Sequence, residues 1–376
     1  MKKFFYNFQR STVAFMQTTN LFKNFFLAFF CIIFINLPAS GVTLIKTPVN
    51  LDAPWGMTWL DDNNILITQK SGEIFLINTQ DYTQTQIKHN IPSVQYGQGG
   101  LLDIINDKNI IWVTCSVEKD GKYTTAIYQA ELSGDTLINE KKIYEALPYI
   151  NSPYHFGSRL EIKDNYLYAS IGERGEGMIA QDPTNSIGSI IRIHKNGNNP
   201  EDNPYINKPD WLPEIYQIGV RNPQGMTLDP LTKDIYISNH GPKGGDFIGP
   251  VLAGTNYGWK QIGWGGTNYS GTKVGDGNAW EPGFLKPDFI WVPSIGIGGI
   301  KFYQGKSFPE WQNSLLIGSL KYEYLSILHR KNNKFIEEEI IFKNEIGRVR
   351  DIEINTNGDV FLIADESDSS LYILKP

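Results

Sequence analysis

The sequence predicts an all-β protein, a single six-bladed β-propeller built from four-stranded antiparallel blades. Helical periodicity is nearly absent along the 376 residues, while 36 glycines and 20 prolines indicate many tight turns. A unit of strand, polar turn and strand recurs six times at intervals of roughly 45 to 75 residues, which is near the length of a propeller blade. A β-sandwich or a two-domain β protein is the structural alternative.

The repeat consists of six apolar first strands, each followed by a turn with Asp, Asn, Gly or Lys and then by a second strand. Most units continue into a third strand, as in "GEIFLIN" and "SIIRIH". The long intervals after the third and fourth units are rich in Gly, Pro, Asn and Trp, so we expect loops there on one face. The first strands begin near "GMTWL" (56), "GLLDI" (100), "SRLEI" (158), "GMTLD" (225), "GIKFY" (299) and "VRDIEI" (349).

Residues 1–41 differ from the rest of the chain. They carry basic but no acidic side chains, and the apolar run "FFLAFFCIIFINL" is followed by "PASG". This order predicts a signal peptide cleaved after Gly41. The run is shorter than the roughly 20 residues that span a bilayer, although an uncleaved anchor is the alternative. We therefore expect residues 42–376 to form one exported domain with no stable membrane insertion.

Removal of residues 1–41 makes the protein acidic. That segment holds four of the 34 basic residues and none of the 40 acidic ones, which leaves 30 basic and 40 acidic residues and a formal charge of −10. Such a balance argues against nucleic acid as a partner. Only Cys115 remains after cleavage, so no intrachain disulfide can form.

The hairpin repeat predicts where polar side chains gather. In an antiparallel hairpin the start of the first strand and the end of the second strand lie together. In a propeller the first strand lines the central channel, so these positions from all six blades meet at one mouth. Solvated loop ends are the alternative for any single residue. The predicted mouth residues are Trp55, Gln69, Gln98, His155, Glu173, Arg174, Arg221, Asn222, His240, Lys321, Arg348, Arg350 and Asp365.

Several cations, amides and two histidines among these positions favour a concave site for a polyanionic ligand. His155 is the candidate proton acceptor, with packing at a strand entrance as the other interpretation. We expect Glu173 and Arg174 to form an ion pair or to contact the ligand. His240 is expected to support the loop that follows it.

Longer motifs carry a resemblance across the whole mature chain. "HFGSRLEI", "EIYQIGVRNPQGMTLDP", "NHGPKGGD", "NYGW" and "GRVRDIEINTNGDVFLIAD" occur in the order found in a known family. With them the chain resembles the soluble, periplasmic aldose sugar dehydrogenases that use pyrroloquinoline quinone (PQQ), a family that includes soluble glucose dehydrogenase. That resemblance implies a six-bladed propeller, in agreement with the repeat.

The resemblance also implies residue roles. His155 matches the general base, and Arg221 matches a group that stabilises the developing oxyanion. The backbone carbonyls of Gly241 and Pro242 match the ligands of a Ca²⁺ ion beside the cofactor. The side chains that match those holding PQQ are Gln98, Arg221, Asn222, Lys321, Arg348 and Arg350.

The implied reaction is the oxidation of an aldose sugar at C1 to a lactone. His155 takes the hydroxyl proton, PQQ accepts the hydride while Ca²⁺ polarises the quinone, and an external acceptor removes the electrons. The implied enzyme is a PQQ-dependent oxidoreductase acting as a monomer or homodimer. A propeller lactonase-type hydrolase and a non-catalytic binding propeller are the alternatives.

The chain departs from the family pattern at the rim of the predicted site. Tyr154 stands where the glucose enzyme has an aspartate, which leaves the preferred sugar open. Lys260 follows "NYGW" where proline is common, and Phe247 to Gly249 replace a stretch that usually supplies a carboxylate for a further, structural Ca²⁺. None of these changes falls on the residues matched to PQQ.

Overall fold

The computed structural model describes residues 41–376. Within them, 24 strands form six four-stranded antiparallel sheets, which confirms the predicted six-bladed propeller. The helical segments of this part are two short 3₁₀ turns, Gly177–Gln181 and Pro309–Trp311, and no helix in it is long and apolar enough to cross a membrane. The predicted signal peptide, apart from Gly41, lies outside the described residues.

Five blades are continuous in sequence and the sixth is closed by the N-terminal strand. Blades one to five consist of strands β2–β5, β6–β9, β10–β13, β14–β17 and β18–β21, and blade six has the order β22, β23, β24, β1. The strands are β1 Thr43–Lys46, β2 Pro54–Trp59, β3 Asn64–Gln69, β4 Ile74–Asn78, β5 Gln84–Ile87, β6 Leu101–Asp107, β7 Ile110–Lys119, β8 Lys122–Ser133, β9 Thr136–Glu145, β10 Gly157–Lys163, β11 Tyr166–Ile171, β12 Ser189–His194, β13 Ile215–Ile218, β14 Pro223–Leu228, β15 Ile235–Asn239, β16 Asp246–Pro250, β17 Phe289–Trp291, β18 Ile297–Phe302, β19 Leu315–Ser319, β20 Tyr324–Lys331, β21 Lys334–Ile341, β22 Val349–Ile354, β23 Val360–Ala364 and β24 Leu371–Lys375.

The first strand of every blade lies against the first strands of its two neighbours, so these six strands surround the central channel. Each pairs with its second strand through a register shift near its beginning, as between Gly157 and Leu160 in blade three. A β-bulge bends a strand and redirects its side chains. The six bulges all lie at the mouth where the sequence predicts polar residues.

Apolar side chains fill the space between neighbouring blades. Ile65 and Ile67 of blade one pack with Phe361 and Ile363 of blade six, and all four are at most 2% exposed. β-Branched and aromatic residues suit a strand with neighbours on both faces. Each such buried side chain contributes roughly 1.5–3 kcal/mol of apolar transfer free energy, so blade packing holds the ring closed.

A buried ionic cluster crosses the channel beneath the mouth. Arg159 donates to Asp103 at 3.0 Å and contacts Asp351 at 2.8 Å, and its Nε donates to the carbonyl of Gln224 at 2.7 Å. Its guanidinium lies 4.2 Å from the centre of the Trp55 ring. Since these groups belong to blades one, two, three, four and six, the cluster ties the blades together and forms a floor for the space above.

Candidate active site

A cavity of about 230 Å³ opens at the mouth of the channel. Its wall contains four cationic side chains, Lys70, Arg221, Arg348 and Arg350, and one carboxylate, Asp365. The wall therefore favours an anionic ligand, although the predicted mature chain is acidic. The lining residues are Trp55, Lys70, Gly97, Gln98, Leu102, His155, Phe156, Gly157, Arg221, Asn222, Gln224, His240, Tyr269, Leu320, Arg348, Arg350 and Asp365.

His155 is held at the cavity wall by contacts on both sides. Its backbone N–H donates to Oε1 of Gln98 at 2.8 Å, and its Nδ1 pairs with Oε1 of Glu173. Its backbone adopts a φ of 53°, and its carbonyl lies so close to Gly172 that a Cβ there would be 2.1 Å away. Only glycine fits at that point, so the local backbone fixes the direction of the imidazole.

Glu173 is a buried carboxylate that orients the histidine. One of its oxygens pairs with His155, and the other accepts the backbone N–H of Gly177. Its own N–H donates to the carbonyl of Arg221 at 2.8 Å. The expected ion pair with Arg174 does not form, because Arg174, at a φ of 59°, turns towards the carbonyls of the segment 152–154.

The surroundings of His155 favour its neutral form. Burial lowers its pKa, and the positive charge of Arg221 lowers it further, while the hydrogen bond with Glu173 opposes both. For Glu173, burial acts to raise the pKa, but the hydrogen bond with His155 and the nearby charges leave it lowered. The result is a neutral imidazole beside an ionised carboxylate, an arrangement that can accept a proton.

Arg221 and Asn222 reach the cavity from the segment before β14. Both backbone N–H groups donate to Oδ1 of Asn239 at 3.0 Å, which fixes the turn. The Asn222 side chain accepts the N–H of Gly157 at 3.1 Å, and the Arg221 guanidinium lies 5.4 Å from the centre of the Trp259 ring. Both side chains are buried, so their positions are set before any ligand binds.

Arg348, Arg350 and Lys70 surround Asp365. Lys70 lies 2.9 Å and Arg348 3.7 Å from its oxygens, and Arg350 forms an ion pair with it. Burial acts to raise the pKa of Asp365, but the charges of Arg350 and Lys70 hold it well below its usual range. Three cations share this one carboxylate, so positive charge remains for a ligand. Arg350 also donates to Gln224 at 2.7 Å.

Lys321, Gly241 and Pro242 lie beside the cavity rather than in its wall. Lys321 follows the lining residue Leu320, and its ammonium donates to the carbonyl of Ser294 at 3.1 Å. Gly241 and Pro242 follow the lining residue His240. The remaining residues matched to catalysis or to PQQ, Gln98, His155, Arg221, Asn222, Arg348 and Arg350, all line the cavity. Among the other predicted mouth residues, Gln69, Glu173 and Arg174 lie outside its wall.

The loop after His240 is built around a buried carboxylate. Asp246 accepts the N–H of Gly241 at 2.8 Å and that of Ile297 at 3.0 Å, and burial raises its pKa. A Cβ on Gly241 would lie 2.4 Å from the carbonyl carbon of Gly245, so the loop folds tightly on itself. Neither the carbonyl of Gly241 nor that of Pro242 accepts a hydrogen bond from within residues 41–376.

Three lining residues with polar side chains, Lys70, Gln224 and Tyr269, are not among those predicted from the sequence. Lys70 follows Gln69 at the end of a second strand, so the same hairpin rule could have found it. Gln224 lies inside β14, where an apolar residue would be the usual expectation. Tyr269 belongs to the long loop between β16 and β17 and is 74% exposed, and no pattern in its segment marks it.

Comparisons with known proteins agree with this geometry. A family model described as Glucose / Sorbosone dehydrogenase matches residues 51–373. The aldose sugar dehydrogenase YliI of Escherichia coli is 33% identical over 338 residues, which cover 87% of this chain and 91% of that protein. Quinoprotein glucose dehydrogenase B of Acinetobacter calcoaceticus is 26% identical over 72% of this chain and 74% of its own length.

The structural comparison gives the same result. The crystal structure of the soluble aldose sugar dehydrogenase of Escherichia coli in its apo-form superposes with a TM-score of 0.85 and 31% identity, over 89% of this chain and 99% of that one. The expected enzyme class, an oxidoreductase of the sugar dehydrogenase type, is therefore confirmed at the level of the family. The chain belongs to the Glucose / Sorbosone dehydrogenase family, as its motifs indicated.

Proposed function

We propose that this protein is a PQQ-dependent aldose dehydrogenase that oxidises a sugar at C1 to the lactone and delivers the electrons to an external acceptor. One observation carries the proposal: the His155–Glu173 pair and four cations meet at a single cavity in the channel mouth. A relative named as a quinoprotein supports a quinone cofactor. Residues 1–41 are proposed as an export signal, and residues 42–376 as one periplasmic catalytic domain.

The donor set of the cavity suits PQQ, which has three carboxylates and an ortho-quinone. Arginine binds carboxylates through two parallel N–H groups, and Nε of Arg350 is buried without a partner among the described residues. Bound PQQ would accept the hydride from C1 of the sugar. The residues proposed to hold it are Gln98, Arg221, Asn222, Lys321, Arg348 and Arg350.

The Gly241–Pro242 loop is the proposed calcium site. Its two carbonyls have no donor within the described residues, and Ca²⁺ readily takes carbonyl oxygens as ligands. No three His, Cys, Asp or Glu side chains converge as a metal site in residues 41–376. A calcium ion there would act as a Lewis acid on the quinone.

His155 is proposed to take the proton of the C1 hydroxyl. Its Nδ1 is engaged by Glu173, so Nε2 is the nitrogen left to accept that proton. Glu173 then stabilises the imidazolium that forms. Arg221, which is close enough to lower the pKa of His155, supplies positive charge for the negative charge that the reaction develops.

The hydrolase alternative is less well supported by the cavity. A lactonase-type site needs carboxylates around a central ion, whereas the single lining carboxylate, Asp365, already contacts three cations. The non-catalytic alternative predicts a cavity without a base, whereas this cavity contains His155, held in place by Gln98 and Glu173. No specific observation in residues 41–376 favours either alternative.

The proposal is tested with purified protein free of cofactor. We expect reduction of an artificial electron acceptor when PQQ, Ca²⁺ and a suitable aldose from a panel are present together, with a lactone as the product. Omission of PQQ, or chelation of calcium, should abolish the activity. No dye reduction with any aldose and no change in the absorption spectrum of added PQQ would refute the proposal.

A further inference from the structure

His240 lines the cavity but has no place in the proposed reaction. It directly follows β15, and its N–H donates to the carbonyl of Asn222 at 3.1 Å. Its own carbonyl accepts from Nη1 of Arg221 at 3.4 Å and from the side chain of Asn239 at 3.3 Å. The main chain of His240 is thus tied to the segment that carries Arg221 and Asn222. The residue lines the cavity, and its imidazole also contacts the backbone of Ile297.

The imidazole has an unpartnered nitrogen at this position. Nε2 of His240 is buried and has no hydrogen-bond partner within residues 41–376. Buried polar atoms almost always have a partner, so one without calls for an explanation. Among the described residues of the cavity wall, two side-chain nitrogens are buried without a hydrogen-bond partner: Nε2 of His240 and Nε of Arg350. Their shared location points to one ligand for both.

We propose that Nε2 of His240 forms a hydrogen bond with the bound cofactor. This inference rests on the proposed function, because the ligand is PQQ. Neutral imidazole offers one donor and one acceptor, so it can bind the cofactor without adding a third positive charge beside Arg221 and Arg350. A role limited to supporting the following loop would use the main chain, which is already bonded, and would leave Nε2 unused.

Cofactor binding by the protein without bound PQQ tests the proposal directly. Trp55 lines the cavity, so quenching of tryptophan fluorescence can report a titration with PQQ in the presence of Ca²⁺. His240→Leu removes the hydrogen bond and keeps the bulk, so we expect PQQ to bind roughly tenfold to a hundredfold more weakly. His240→Gln keeps a donor and an acceptor, so binding should stay within about threefold of the wild type.

A matched control separates this effect from a general effect of losing a histidine. His194, at the end of β12, packs against Tyr166 with tilted rings whose centres are 5.2 Å apart, and it lies outside the cavity wall. His194→Leu should leave PQQ binding unchanged. Unfolding midpoints of the proteins without cofactor confirm that each variant is folded.

The outcomes distinguish this inference from the proposed function. Wild-type affinity in His240→Leu, or an equally weak His240→Gln, would overturn the hydrogen bond while leaving PQQ as the cofactor. A wild-type protein that fails to bind PQQ would overturn the proposed function itself. If His240→Leu does not fold, ¹⁵N-histidine spectra of the wild type decide: the Nε2 resonance of His240 must move on addition of PQQ, and an unmoved resonance overturns the proposal.

Discussion

Glu173→Gln tests the catalytic pair sharply, because it removes the charge and one acceptor oxygen while keeping the size of the side chain. The carboxylate bonds His155 through one oxygen and the N–H of Gly177 through the other. Glutamine has the same shape and still offers an oxygen, so the fold and the PQQ site should persist. What is lost is the negative charge that stabilises the imidazolium formed when His155 takes a proton, and with it one of the two acceptor oxygens, because the amide –NH₂ must face either His155 or the N–H of Gly177.

The size of the effect follows from the kind of hydrogen bond that is lost. A hydrogen bond to a charged group contributes about 1.5–3 kcal/mol, against about 0.5–1.5 kcal/mol for a neutral pair. The exchange therefore costs the transition state about 1–2 kcal/mol, which corresponds to a roughly 5- to 30-fold lower kcat. Because Glu173 raises the pKa of His155, its loss lowers that pKa, and the acid limb of the kcat/KM profile should move to lower pH.

Steady-state dye reduction from pH 4 to 9, at saturating PQQ and Ca²⁺, measures both effects. His329 and Glu339 form a similar pair, 3.1 Å apart, at the outer edge of blade five. Glu339→Gln is thus the matched control, and it should change neither kcat nor the profile. An unchanged kcat and acid limb in Glu173→Gln would refute the assigned role of the pair. Weaker PQQ binding at constant kcat would place Glu173 in the cofactor site instead.

Three further substitutions probe the base, the rim and the channel. His155→Ala should reduce kcat by about 10²–10⁴-fold while the PQQ dissociation constant, measured by fluorescence titration, stays the same; lost binding with normal turnover per bound PQQ would contradict a base. Tyr154→Asp places a carboxylate beside His155, which should raise the pKa of the imidazole and move the acid limb of the kcat/KM profile to higher pH. An acid limb at the wild-type pH would count against a contact between residue 154 and His155. Burial raises the pKa of Glu161 from 4.5 to about 7, so the wild type should lose stability as pH rises through that window, since the unfolded chain releases the proton first. Glu161→Gln should reduce this loss and raise the free energy of unfolding above pH 7 by about 1–3 kcal/mol in urea titrations, and an equal pH slope in both proteins would refute the assignment.

The positions of the cavity residues could be predicted from the sequence because hairpin geometry is local. Each polar residue at the start of a first strand, such as Gln98, His155 or Arg221, must lie at the same end of its blade as the end of the second strand. The repeat then places these ends around one mouth. The same rule reaches Lys70, which directly follows Gln69 at the end of a second strand.

Contacts that depend on the exact backbone path were not predictable. The left-handed backbone of Arg174 turns its guanidinium towards carbonyls and leaves Glu173 to His155. Tyr269 enters the cavity wall from a long loop whose path is set by packing rather than by periodicity. The closure of blade six pairs Thr43 with Lys375, and no local signal in the four residues of β1 reveals a partner at the other end of the chain.

A crystal structure of the protein with PQQ and Ca²⁺ tests the central claim, that this cavity is the catalytic cofactor site. We expect PQQ in the cavity with its carboxylates on the guanidinium groups, including that of Arg350. We also expect Ca²⁺ on the carbonyls of Gly241 and Pro242, and Nε2 of His155 open to the sugar. PQQ bound away from Arg221 and Arg350, or calcium held elsewhere, would contradict it.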